Sequence, residues 1–185
     1  MIAAAAEEEF ISGNVIFYVS IILAILFVGL AHQFARWRDI DIWQNFPKHR
    51  FRYYLLGAVL ILDFALLPLL EEYFPIPDDP EVEYWLSELH WTQAVIAFAL
   101  CAAIWEEYVF HGLLLNWIYR RWDAWLAILI PNVIWSALHV QYDLFWIGTL
   151  FVSGCLWSLI RLCGMPLWIL MLFHFVNNVL ALILQ

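Results

Sequence analysis

Long apolar runs alternate along this chain with short polar segments. A helix needs about 20 residues to cross a hydrocarbon core of about 30 Å, and six runs are close to that length or longer. They are residues 10–35, 51–70, 91–119, 122–140, 142–160 and 166–184. Because these runs lack the alternating pattern of membrane strands, helices are favoured over a β-barrel. The pattern predicts one all-α domain over residues 1–185, a polytopic integral membrane bundle of about six transmembrane helices.

The polar segments predict how the helices are connected. Only Arg120 and Arg121 separate the third and fourth runs, which indicates a tight antiparallel turn. Residues 75–90 predict an extracytoplasmic connector at the membrane interface, with Asp79 placed to cap a short helix and Pro80 at its first position. The first run follows an acidic tail and is longer than the core of a signal peptide, so we expect it to be retained as an anchor.

Composition and charge support membrane insertion and indicate an orientation. Of the 185 residues, 65% are hydrophobic, 18% are aromatic and 14% are charged, and the mean hydropathy is +0.81. All eight Lys and Arg residues fall on one side of the predicted bundle. The positive-inside rule assigns that side to the cytoplasm and places both termini outside. The net charge of −9, with no basic patch, argues against a nucleic-acid partner.

Few reactive side chains lie within the apolar runs. Glu106 and Glu107 are adjacent in the third run, and His111 follows one helical turn later. A charged side chain at membrane depth costs roughly 2.5–3.5 kcal/mol, so this pair predicts a functional site. Because neighbours on a helix are rotated by about 100°, the two carboxylates are expected to have different roles. The other polar candidates within the runs are Asp63, His139, His174, Asn177 and Asn178.

Three motifs occur in order along the second half of the chain. They are Glu106-Glu107-x-x-x-His111-Gly112, Trp135-x-x-x-His139 and His174-x-x-x-Asn178. In these motifs the chain resembles the CPBP family of intramembrane glutamic endopeptidases, which includes CAAX prenyl proteases and bacteriocin-processing enzymes and carries EExxxR, aromatic-xxxH and HxxxN. The resemblance covers roughly residues 91–185 and implies hydrolysis of a peptide bond in a membrane-anchored protein or peptide. We therefore expect an intramembrane protease of a bacterial or archaeal inner membrane, with CAAX-like, maturation or C-terminal sorting activity.

The resemblance also implies roles for individual residues. Glu106 acts as general base on a water that His139 helps to hold, while His174 and Asn178 stabilise the oxyanion that forms. Glu107 and His111 have a supporting role. The implied partners are the substrate and the lipid bilayer, and neither a metal nor another cofactor is implied.

His111 departs from the family pattern, which has arginine at this position. Histidine, unlike arginine, can lose its charge near neutral pH and cannot hold a carboxylate in bidentate geometry. The departure therefore affects the supporting role of Glu107 more than the catalytic role of Glu106.

Two other classes of function stay open. An intramembrane metal-dependent hydrolase would use the same Glu and His side chains as ligands, although the HExxH motif is missing and the spacing from Glu107 to His111 differs from Glu-x-x-His. A non-enzymatic bacteriocin-immunity-type or transport protein would keep the carboxylates for binding, but no internal repeat typical of transporters is visible. Asp63 and His32 match no motif, and we expect each either to form an interhelical hydrogen bond or to lie at the membrane interface.

Overall fold

The computed structural model describes residues 12–75 and 80–184, and its helices follow the apolar runs. They are α1 (Gly13–Arg38), α2 (residues 51–71), α3 (Pro80–Glu88), α4 (Trp91–Tyr119), α5 (Ala124–Ala137), α6 (Leu144–Leu162) and α7 (Leu167–Leu184). No strand occurs in the part of the chain that the structure describes, so the predicted all-α membrane bundle is confirmed. The predicted cap at Asp79 lies outside the described residues, whereas α3 begins at Pro80 as expected.

The helices differ in their capacity to cross a membrane. Within the described ranges, three are long and apolar enough to do so, namely α1, α4 and α6. The apolar helices α5 and α7 are shorter, and α2 is regular over Phe51–Ile61, π-helical over Leu62–Leu66 and regular again over Leu67–Glu71. The ends of these helices lie within about three residues of the predicted runs, and the number of six crossings stays a prediction.

The helix that carries the glutamate pair, α4, is interrupted by wider turns. It is π-helical over Val95–Cys101 and again over Glu107–Leu114, with the regular segment Ala102–Glu106 between them. Such π-helical turns often lie at functional sites because they change which side chains share a helix face. The second π-helical segment begins at Glu107, directly after Glu106.

The bundle packs around α4. This helix contacts α1, α5 and α7, while α6 packs against α2 and α5. Ala31 and Ala35 of α1 are buried against Tyr108 and Leu113 of α4 in one apolar cluster, where small side chains permit close approach of the two helices. The predicted interhelical bonds are confirmed: Nδ1 of His32 lies 3.0 Å from the Tyr108 hydroxyl, and the Ser153 hydroxyl donates to Asp63 at 3.1 Å.

The polar segment between α1 and α2 folds over the basic end of α4. Nδ2 of Asn116 donates to the backbone carbonyls of Asp41 at 2.9 Å and Ile42 at 3.2 Å. Ile42 is buried above Gly112, where an added Cβ would lie 2.7 Å from Cγ2 of Ile42 and 3.0 Å from Cδ2 of Leu167. Only glycine leaves space for this approach, which explains the residue that follows His111.

Arg161, expected just beyond the fifth run, is instead buried in the last turn of α6, where it is 1% exposed. Its guanidinium donates to the carbonyls of Met165 at 3.0 Å and Gln44 at 2.6 Å and lies 5.1 Å from the ring centre of Phe46. Arg161 therefore joins the end of α6 to the segment between α1 and α2.

Candidate active site

Glu106 and Glu107 are both buried, at 9% and 5% exposure, and they have different partners. The indole Nε1 of Trp135 donates to Oε2 of Glu106 at 2.5 Å. Nδ1 of His111 donates to Oε2 of Glu107 at 2.7 Å. The different directions expected for the two carboxylates are therefore observed.

His174 of α7 lies between the two glutamates. Its Nδ1 is 2.9 Å from Oε1 of Glu107, and its Nε2 is 3.9 Å from Oε2 of Glu106. An ionised carboxylate only accepts hydrogen bonds, so Nδ1 carries a hydrogen. The distance of 3.9 Å is too long for a hydrogen bond, and Nε2 faces Glu106 across a gap.

His139 contacts Trp135, which in turn donates to Glu106. Its Nδ1 lies 2.9 Å from the backbone carbonyl of Trp135, and the two ring centres are 4.8 Å apart in an edge-to-face arrangement. A carbonyl oxygen can only accept, so Nδ1 carries the hydrogen and Nε2 of the neutral ring is an acceptor. No hydrogen bond joins His139 directly to Glu106 or His174 in the described structure.

Asn178 follows His174 by one turn of α7 and also contacts α4. Its Nδ2 donates to the backbone carbonyl of Phe98 at 3.3 Å. This bond uses one of its two N–H groups and leaves the second N–H and the carbonyl oxygen for other partners. Asn178 therefore contacts α4 eight residues before Glu106 and makes no hydrogen bond to Glu106 among the described residues.

His111 has one free ring atom. Its Nε2 is buried and has no hydrogen-bond partner among the described residues, while Nδ1 is used by Glu107. Histidine therefore supplies Glu107 with a single N–H, and the second donor to this carboxylate comes from His174. An arginine at this position could supply two parallel N–H groups by itself.

Two further observations bear on ligands. Over residues 12–75 and 80–184, no three His, Cys, Asp or Glu side chains are grouped so that they could hold a metal ion. A cavity of about 520 Å³ lies at the basic end of the bundle, away from the glutamates, and is lined by Ala35, Arg36, Asp39, Ile40, Asp41 and Arg120.

The donor role of Trp135 was not predicted from the sequence. The motif marks this position only as aromatic, and the contact with Glu106 spans 29 residues of the chain. The one available signal is the residue type, because among aromatic side chains a buried tryptophan carries an N–H that needs an acceptor.

Close packing of α5 on α6 positions Trp135. Nδ2 of Asn132 donates to the Ser158 hydroxyl at 2.7 Å and to the carbonyl of Ile128 at 2.6 Å. An added Cβ on Gly154 would collide with Oδ1 of Asn132 and lie 3.2 Å from Cε3 of Trp135. A glycine on α6 therefore makes space for the indole that reaches Glu106.

The comparison with protein families agrees with these motifs. The model of the Rce1-like family, described as type II CAAX prenyl endopeptidase Rce1-like, matches residues 88–180, which are half of the chain. The chain belongs to this family of CAAX-type intramembrane proteases, and the resemblance predicted from the sequence is confirmed. The matched region contains all three motifs and the apolar helices α4 to α6, which identifies an integral membrane protein.

One curated protein is also similar to this chain. A protein of Escherichia coli described as an uncharacterized 24.3 kDa protein is 26% identical over 136 residues, which are 70% of this chain and 62% of the relative. The chain thus spans less than two thirds of that relative's length. No solved structure matches the chain.

Proposed function

We propose that this protein is an intramembrane endopeptidase in which Glu106 activates a water for attack on a peptide bond of a membrane-anchored substrate. The observation that carries the proposal is the arrangement of Glu106, Trp135 and His174. A buried carboxylate has one oxygen held by an indole N–H at 2.5 Å and faces an imidazole nitrogen across 3.9 Å. The family supports proteolysis as the reaction class.

In this mechanism, Glu106 removes a proton from the attacking water as its oxygen bonds to the scissile carbonyl carbon. Glu106 then returns that proton to the leaving amine as the C–N bond breaks and the oxyanion collapses to the new carboxylate. General-base catalysis of this kind contributes about 10²- to 10⁴-fold to the rate. The water and the scissile carbonyl meet beside the carboxylate of Glu106, within reach of Nε2 of His174, which lies 3.9 Å from Oε2 of that carboxylate. His139, whose Nε2 is an acceptor when its ring is neutral, helps to hold the water.

His174 and Asn178 then stabilise the oxyanion. Because Nδ1 of His174 already donates to Glu107, donation from Nε2 requires the doubly protonated ring, and the neighbouring carboxylates supply the counter-charge for it. The second N–H of Asn178 is available for the same oxyanion. Glu107 and His111 keep His174 in position.

The substrate class proposed is a prenylated or otherwise membrane-anchored peptide that is cleaved near its C-terminus. Glu106, His174 and Asn178 lie on helices of an apolar bundle and His139 lies just after α5, so a substrate held in the bilayer suits this site. We further propose an inner-membrane location with both termini outside, from the placement of all eight basic residues on one side.

The test compares Glu106→Gln with wild-type protein in vesicles containing a farnesylated peptide that ends in a CAAX sequence. We expect at least about a 10²-fold loss of cleavage, since glutamine keeps the shape of the side chain but cannot act as a base. Glu88→Gln, an exposed position on α3, serves as the matched control and should retain full activity. Equal cleavage by Glu106→Gln and wild-type protein would overturn the glutamic mechanism.

The metal-dependent alternative is tested in the same assay. The glutamic mechanism predicts that chelators leave cleavage unchanged and that purified active protein holds no stoichiometric metal. Loss of cleavage on chelation, with recovery on adding zinc or iron, would favour the metal-dependent hydrolase instead.

A further inference from the structure

The carboxylate of Glu106 has two unequal oxygens. Oε2 accepts the indole N–H of Trp135 at 2.5 Å and is also the oxygen nearest to Nε2 of His174. Within the described residues, Oε1 accepts no hydrogen bond. A carboxylate with one oxygen held and one oxygen free has a defined orientation and a defined basic atom.

We propose that Trp135 is a positioning residue for the general base: its indole N–H fixes Oε2 of Glu106 and thereby presents Oε1 to the attacking water. This inference rests on the proposed function and deepens it. It assigns to the aromatic position of the second motif a hydrogen bond that no phenylalanine or other hydrocarbon ring could make.

The surroundings of Trp135 suit this role because they hold the indole from several sides. The rings of His139 and His174 meet it edge to face, with ring-centre distances of 4.8 and 6.3 Å. On the side of α6, Gly154 leaves the space that the indole occupies. A side chain held in this way loses little further freedom when it orients a carboxylate.

The hydrogen bond from Trp135 also offsets part of the energetic cost of burying the carboxylate of Glu106. A buried carboxylate without donors is strongly disfavoured, and charge-assisted hydrogen bonds are roughly twice as strong as neutral ones. Glu107 has two imidazole donors at 2.7 and 2.9 Å. Glu106 has Trp135 as its hydrogen-bond donor among the described residues, so removal of this N–H acts directly on the proposed base.

The test replaces Trp135 with 3-benzothienylalanine, which keeps the shape of the indole and deletes only the N–H donor. The matched control makes the same replacement at Trp146, a buried tryptophan of α6 whose Nε1 donates to the carbonyl of Phe74 at 3.1 Å. We expect kcat to fall about 10- to 100-fold at position 135 with KM within about twofold, as for loss of a hydrogen bond to a charged group. The Trp146 replacement should leave both parameters unchanged.

A spectroscopic measurement tests the hydrogen bond independently of activity. In full-length protein labelled with ¹⁵N-tryptophan, the indole proton signal of Trp135 should move upfield in Glu106→Gln, because an amide oxygen is a weaker acceptor than a carboxylate. The signal of Trp146 should not move. An unmoved Trp135 signal would overturn the hydrogen bond, and an unchanged kcat in the benzothienylalanine variant would overturn the positioning role.

These outcomes are distinguishable from failure of the proposed function. Suppose that wild-type protein cleaves no peptide while the Trp135 signal responds to Glu106→Gln. The hydrogen bond is then confirmed, whereas the proteolytic function is wrong and so is the role of Trp135 in positioning a base. If wild-type protein cleaves and the Trp135 replacement lowers kcat no more than the Trp146 replacement does, the proposed function stands and this inference is wrong.

Discussion

Nδ1 of His111 lies 2.7 Å from Oε2 of Glu107, so a histidine holds the carboxylate at the position where related motifs have arginine. The other oxygen of Glu107 accepts from His174 at 2.9 Å. Both oxygens of this buried glutamate are therefore satisfied by imidazole N–H groups from two different helices. Glu107 joins α4 to α7 and sets the orientation of His174.

The first prediction concerns the stability that Glu107 provides. Glu107→Gln replaces one accepting oxygen by an NH₂ group that faces an N–H, so one imidazole loses its acceptor. We expect the free energy of unfolding to fall by about 3 kcal/mol, measured by denaturant titration in mild detergent. Glu88→Gln on the exposed surface of α3 should change it by less than about 0.5 kcal/mol. Equal stability of the two variants would contradict the role given to Glu107.

The second prediction compares the stability provided by the charge-assisted hydrogen bond of His111 with that provided by a neutral hydrogen bond. His111→Ala should cost about 2 kcal/mol or more, because a buried carboxylate loses a donor. His32→Ala, which removes the bond to the Tyr108 hydroxyl, should cost about 1 kcal/mol. Unfolding of both variants in detergent gives the comparison.

His111→Arg is the complementary change. Arginine restores an N–H donor for Glu107, so we expect it to recover more than half of the stability lost in His111→Ala and to retain cleavage. If the arginine variant is no more stable than the alanine variant, the site accommodates only the smaller imidazole.

The third prediction concerns the close approach at Gly112. Gly112→Ala places a Cβ 2.7 Å from Cγ2 of Ile42 and should destabilise the fold by about 1–3 kcal/mol. Adding Ile42→Ala removes that methyl group and should return part of the loss, which a double-mutant cycle measures. Gly57→Ala is the control, since its added Cβ meets no atom within 4 Å, and it should be neutral or slightly stabilising. Additive effects of the Gly112 and Ile42 changes would contradict the contact.

The fourth prediction concerns Arg161. Arg161→Met leaves the carbonyls of Gln44 and Met165 without this donor, so the segment between α1 and α2 should detach from the end of α6. We expect trypsin to cleave faster at Lys48 and Arg50, measured by mass spectrometry of folded protein. Arg121→Met, which alters an exposed side chain lying 5.3 Å from the ring centre of Trp117, should leave that rate unchanged. Equal rates of trypsin cleavage in both variants would contradict the role of Arg161 in anchoring this segment.

Much of the fold and several site candidates follow from local features of the sequence. Apolar run length predicts the helices to within about three residues, and the cost of carboxylates at membrane depth marks Glu106 and Glu107. The positions of the π-helical turns in α4 could not be predicted, because they depend on how neighbouring helices pack against it. The burial of Arg161 was missed for a similar reason, since a basic residue at the end of an apolar run is expected at the surface.

The sequence by itself determined the membrane class, the order of the helices and the three motifs that contain the proposed site residues, because hydropathy and residue type are properties of short segments. Only the tertiary structure decided which donor meets which carboxylate oxygen. Trp135 and Glu106 are 29 residues apart, and His174 and Glu107 are 67 apart, so each pair meets only through the packing of α5 and α7 against α4. The division of the glutamates into one held by two histidines and one held by a tryptophan is therefore a consequence of that packing.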